Sequence, residues 1–138
     1  MVRVKLAFQL IQKHGTNDPF KIAKLSGILV VYEPLGSILG YYSKTHRSKV
    51  IHINNFLRSE QQMFTCAHEL AHAILHPDTN TAFLKSNTFY STEKIEIEAN
   101  NFAVDLLFPH GFGNAVTLDQ AIDDYCIPEE ILLKKIYS

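Results

Sequence analysis

The chain has 138 residues, 46% hydrophobic and 20% charged, which suits one globular domain over residues 1–138 and excludes a disordered, collagenous or membrane-embedded chain. The net charge of −1 hides an asymmetry: residues 1–58 carry nine Lys and Arg against Asp18 and Glu33, whereas residues 59–138 carry four against twelve acids. The basic residues are dispersed, not gathered into a phosphate-tracking stripe, so no direct nucleic-acid binding is expected and the halves should partly neutralise one another.

Met1 to His14 carries Arg3, Lys5 and Lys13 and has no sustained apolar run or cleavage signal. It reads as a short amphipathic helix with Leu6, Ala7 and Leu10 facing in, not as a leader. No stretch is apolar enough to span a bilayer, so a cytoplasmic protein without a membrane partner is expected. Asn17 or Asp18 before Pro19 opens a second helix to Ser26, with Gly27 as its cap. Ile28 to Glu33 is β-branched and apolar, a strand, and Pro34 to Ser37 turns. Ile38 to Lys44 and Lys49 to Asn54 then make a hairpin over Thr45 to Ser48, with Val50 and His52 alternating against Ile51 and Ile53. These elements imply an α+β fold: a small three-stranded antiparallel sheet packed on a central helix, with further helices at both ends. An edge strand of such a sheet can bind extended peptide by strand addition.

The central helix is expected to start at the S-x-x-Q pair of Ser59 and Gln62 and to stop before Pro77. Phe64, Ala67, Ala71 and Leu75 recur along it at spacings of three and four, as do Met63, Leu70 and Ile74. Inside it stand His68, Glu69, Leu70, Ala71 and His72, an HExxH pattern. The spacing of four puts both imidazoles on one face, about one turn apart, where they can hold one metal ion. Glu69 points to the neighbouring flank, within reach of a water. Two histidines at this spacing also occur as satisfied core or surface residues. A third ligand separates the readings, because catalytic zinc takes three protein ligands and keeps one position open. Cys66, two residues before His68, suits a small buried apolar position, and it forms no disulfide framework with Cys126.

Four residues after the motif compete for the third place. His76 lies one turn further on, and a straight helix carries it away from an ion held by the first two; it reads as a helix-end residue near the C-terminal dipole. Asp78 follows His72 by six residues, but that pattern needs a glycine where Leu75 stands. Glu96 and Glu98 lie in a second helix, Thr92 to Phe108, with Ile95, Ala99, Phe102 and Leu106 as its apolar stripe. At about 100° per residue they face roughly opposite flanks. Glu98 shares its flank with Asp105, a solvated acidic edge. Glu96 borders Ala99, Ala103 and Leu107, a face of small residues that admits another helix, and Asn100 one turn on can hydrogen-bond a ligating carboxylate. The geometry favours Glu96.

Together, HELAH, the E-x-E-A-N-x-F-A segment from Glu96 and the following L-L-F-P resemble the ImmA/IrrE family of metallopeptidases. The more distant gluzincins are similar in having HExxH and then a glutamate that opens an E-x-x-A-[ND] run, here Glu96 to Asn100. The resemblance extends upstream through Gly40, Tyr41, Tyr42 and the strand from Ile51 to Asn54, and departs where Ala71 replaces a common glycine. It implies one Zn²⁺ per chain held by His68, His72 and Glu96, with Glu69 as general base. It also implies a protein substrate, a helix-turn-helix repressor of a prophage or mobile element, whose cleavage releases transcription. A non-catalytic antirepressor and one half of a toxin–antitoxin module are the alternatives; an intact Glu69 argues against the first. Tyr41, Tyr42, Tyr90 and His110 are unranked candidates for a second oxyanion donor.

The linker from Asp78 to Ser91 reads as a flap or packed loop, and Gly111 to Asn114 as a break. The tail over about 115–138 is helical: Thr117 and Gln120 cap one helix ending near Tyr125, and Pro128 with Glu129 and Glu130 opens another ending in Lys134 and Lys135. Acids in its leading turn make the last helix a poor reader of DNA.

Overall fold

Local chemistry sets the element boundaries. The computed structural model describes residues 5–81, 91–112 and 116–137. In chain order the described elements are α1 (Leu6–His14), α2 (Pro19–Leu25), β1 (Leu29–Glu33), β2 (Gly40–Thr45), β3 (Ser48–Asn54), α3 (Ser59–Leu75), α4 (Ser91–Leu107), α5 (Leu118–Asp123) and α6 (Glu129–Tyr137). Asp18 caps α2 by accepting from the Phe20 N–H at 2.9 Å, and Gly27 just beyond its end takes a φ of 74° that a side chain would resist. At α3 the capping pair lies one residue earlier than expected: the Arg58 N–H donates to Gln61 Oε1 at 3.2 Å, while Gln62 Nε2 bonds the Leu57 carbonyl at 3.1 Å. Thr117 and Gln120 form the expected reciprocal cap of α5, at 2.8 and 3.1 Å.

The fold is α+β, with strand order β1-β3-β2. β2 and β3 form the expected hairpin, its register running from Gly40 opposite Ile53 to Thr45 opposite Ser48. β1 departs from the antiparallel expectation. It pairs with β3 in parallel, Leu29 beside Val50 through Glu33 beside Asn54, so the sheet is mixed. The reason lies in the segment between β1 and β2, which crosses the end of β3 instead of turning back beside β1. Asn54 fastens that crossing: its Nδ2 donates to the carbonyls of Gly36 and Ile38 at 2.9 and 3.0 Å, and its N–H donates to Leu39 O at 2.9 Å. A parallel partner needs a long connection, and the whole of β2 with its flanking turns supplies it.

One face of the sheet, through Tyr42, Ile51 and Ile53, is buried against α3, whose Leu70 and Ala67 join the same core. The other face carries Glu33, Ser43 and His52. The His52 ring bridges all three strands, with Nδ1 bonded to Glu33 Oε1 and Nε2 2.9 Å from Ser43 Oγ, and Tyr41 stacks on it at 4.1 Å. α3 also packs along α4, and Ala67, Ala71, Ala99 and Ala103 on the two helices are all fully buried. Alanines on both helices bring the two backbones close, and this approach lets side chains of α4 reach those of α3.

Candidate metal centre

Helical spacing places His68 and His72 on one face of α3, and the close alanine contact brings Glu96 of α4 over them. The His72 Nε2 lies 2.7 Å from Glu96 Oε1, the His68 Nε2 3.1 Å from Glu96 Oε2, and the two Nε2 atoms stand 3.3 Å apart. Donors at the corners of a tetrahedral zinc site are roughly 3.4 Å apart, given metal–ligand bonds of about 2.1 Å. Among the described residues these three side chains form the one group of His, Cys, Asp and Glu with converging ligand atoms, all within 4.8 Å of one another. Both histidines are buried. Two imidazole nitrogens and a carboxylate turned on one point fit a cation.

The protonation pattern also fits. Asn100, whose spacing suggested a bond to Glu96, lies with Oδ1 2.7 Å from His68 Nδ1. An amide oxygen only accepts, so this contact puts the His68 proton on Nδ1 and leaves Nε2 with a lone pair facing the centre. Glu98 is turned away from the three donors. Its Oε2 lies 3.3 Å from His76 Nε2, so it is neither one of them nor the purely solvated edge expected. Asp78 is exposed and pairs with Lys44 at 2.9 Å.

Glu69 is almost wholly buried, its Oε2 4.0 Å from His68 Nε2. Its Oε1 is 3.4 Å from the hydroxyl of Thr81, a residue to which the sequence drew no attention. Thr81 Oγ1 also accepts from the Tyr42 N–H and donates to the Tyr42 carbonyl at 2.8 Å. The Tyr42 hydroxyl donates to Pro77 O at 2.7 Å. Thr81, just beyond α3, therefore occupies the edge of β2 at Tyr42 and takes that residue's backbone groups away from an added strand.

A cleft of about 190 Å³ opens beside the three donors, walled by Leu39, Phe64 and Thr65 on one side and by Cys126 and Pro128 on the other. Thr65 stands one turn before Glu69 on α3. Its Oγ1 is buried and has no hydrogen-bond partner among the described residues, not even the preceding turn of the helix. The threonine is signalled in sequence only by its spacing of four from Glu69. Cys126 takes a φ of 63° at the cleft and accepts from Gln61 Nε2 at 3.1 Å. Cys66 is fully buried; burial, then the charges of Asp18 and Glu69, push its thiol well above the usual range, so it stays protonated and inert.

The three oxyanion candidates among the described residues do not line the cleft. Tyr41 stacks on His52 across the sheet, Tyr42 spends its hydroxyl on Pro77, and His110 is exposed beyond α4. Tyr90 and most of the loop from Asp78 to Ser91 lie outside the described residues. No described helix is long and apolar enough to cross a membrane.

Comparisons with known proteins agree with this arrangement. The chain is 44% identical over 108 residues to immunity region protein 2 of Bacillus phage phi105, covering 77% of this chain and 68% of that protein. It is 33% identical over 100 residues to the metallopeptidase ImmA of Bacillus subtilis, covering 71% of this chain and 58% of the relative. Over 54 residues it is 44% identical to the radiation response metalloprotease IrrE of Deinococcus deserti, covering 39% of this chain and 18% of that larger protein. Residues 23–134 match the profile of the peptidase family described as the IrrE N-terminal-like domain. With most of its length matched and three side chains that could hold a metal ion gathered on two helices, the chain belongs to this ImmA/IrrE family of metallopeptidases.

Proposed function

We propose that the chain is a zinc-dependent endopeptidase that cleaves a helix-turn-helix repressor of a prophage or mobile element and so relieves repression. The observation that carries this reading is the convergence of His68, His72 and Glu96 beside a buried Glu69 at the floor of a cleft. The three donors hold one zinc ion per chain. When bound, zinc supplies Lewis acidity to the scissile carbonyl and lowers the pKa of water toward about 7. Glu69 accepts the proton of the attacking water and passes it to the leaving amine.

Two observations favour a folded protein partner over a small molecule. Ile38, Leu39 and Phe56 are exposed on the two loops that Asn54 ties together, and Leu39 also lines the cleft. The phage relative is named for an immunity region, which fits a phage regulator as the substrate. A repressor substrate places the reaction in the cytoplasm.

The test is co-expression with a helix-turn-helix repressor encoded beside this chain. Defined repressor fragments should appear with the wild type and not with Glu69→Gln, which keeps fold and zinc but cannot take the proton; about 10²–10⁴-fold of rate rests on such a base. Equal fragmentation by Glu69→Gln sinks the assignment of the base. An intact repressor whose DNA binding is nevertheless lost would turn the reading to an antirepressor.

A further inference from the structure

His76 and Glu98 were set aside in the sequence, one as a helix end and the other as a solvated edge. The structure joins them to the metal centre. His76 ends α3, its N–H donating to the His72 carbonyl at 2.8 Å, and its imidazole Nδ1 lies 3.1 Å from His72 Nδ1. On the far side of the ring, His76 Nε2 lies 3.3 Å from Glu98 Oε2. Three side chains thus stand in a row, Glu98 to His76 to His72, and the row ends at the centre with His72 Nε2. His72 is fully buried, while the His76 side chain is 12% exposed and that of Glu98 42% exposed.

The protons along the row follow from its outer end. A carboxylate only accepts, so the His76 proton sits on Nε2 and is donated to Glu98. In the set of tautomers that frees His72 Nε2 for a metal, His76 Nδ1 is the acceptor and His72 Nδ1–H is the donor that faces it. His72 is left with a bare lone pair on Nε2, the form in which an imidazole binds a metal. Asn100 enforces the same tautomer on His68, directly and in one step. We propose that His76 and Glu98 are positioning residues that hold His72 in its metal-binding tautomer and orientation. The inference rests on the ligand assignment above and adds to it an outer support from α4, so the two carboxylates two residues apart on that helix act on opposite sides of one histidine.

The test measures zinc affinity by competition with a chromophoric chelator at one fixed pH, with the thermal midpoint of the zinc-free protein as a check of folding. His76→Phe keeps a ring in place but removes the acceptor, and should weaken zinc about 10- to 100-fold, as loss of an outer partner of a metal-binding histidine does. His76→Asn carries an oxygen at the place of Nδ1 and should restore most of that loss. Glu98→Gln should weaken zinc in the wild-type background and have no effect in His76→Asn, where the row is already cut. Cobalt(II) loaded in place of zinc should show altered visible bands in His76→Phe and near-native bands in His76→Asn. Wild-type affinity in both His76→Phe and Glu98→Gln overturns the proposal. So does a loss in His76→Phe as complete as in His72→Ala, which would make His76 a ligand. If His76→Phe fails to fold, the half-exposed Glu98→Gln decides alone. A wild type that binds no zinc refutes the ligand assignment itself, a different result from normal binding that is blind to His76.

Discussion

Glu96 and Glu98 share a helix and a chemistry, yet their carboxylates meet different histidines. Glu96→Ala should cost more zinc affinity than the roughly 100-fold upper end for an outer partner, because a ligand itself is removed. His72→Ala should do the same, and metal analysis of dialysed protein checks both. Zinc retained at one per chain in Glu96→Ala would end its role as third ligand. The convergence of Glu96, and not Glu98, on the two histidines was legible because it needs only helical angles and the small side chains that flank it. The second role of Asn100 and the row through His76 were not legible. Both depend on how near α4 comes to α3, a distance that spacing within one helix cannot contain.

Among the elements, β2 is placed most tightly. Gly40, its first residue, runs so close to its neighbours that an added Cβ would stand 2.6 Å from the His52 carbonyl oxygen and 2.6 Å from Thr65 Cγ2. One of these is backbone, so β2 itself must give way, and Gly40→Ala should destabilise the fold by about 1–3 kcal/mol. Denaturant unfolding reads this directly, and a wild-type midpoint would show that the strand moves freely. The same contact orients Thr65, its methyl held against Gly40. The hairpin and the helices were readable from alternation, caps and stripes. The parallel partner of β3 was not, because it follows from Asn54 fastening a crossing loop, a long-range set of bonds with no periodic trace. The hold of Thr81 on the edge of β2 was hidden for the same reason: a single hydroxyl reaches across 39 residues of chain.

At the scale of the whole molecule, the two oppositely charged stretches of sequence meet, as expected. Lys5 pairs with Asp105 at 3.5 Å, Lys44 with Asp78 at 2.9 Å and Arg58 with Asp124 at 3.4 Å, each joining the basic part of the chain to the acidic part. These pairs are largely exposed and contribute little stability singly. Asp119, Asp123, Glu129 and Glu130 remain exposed on α5 and α6. The turn between those helices supplies Cys126 and Pro128 to the cleft lining, and Glu129 follows Pro128 in sequence. A DNA-binding repressor is basic, and opposite charges on these helices should steer it in and raise the association rate. Deleting the tail would be a poor test, because Ile127, Ile131 and Leu132 are buried and their loss would open the core. Replacing the four acids by Asn and Gln leaves that core intact. The variant should keep its zinc and its thermal midpoint yet cleave the repressor more slowly at low salt. Raising salt toward 0.15 M, where screening acts over about 8 Å, should slow the wild type and barely change the variant. Parallel salt profiles for the two proteins would remove charge steering from the account and turn the search for a docking surface to the exposed apolar side chains of Ile38, Leu39 and Phe56.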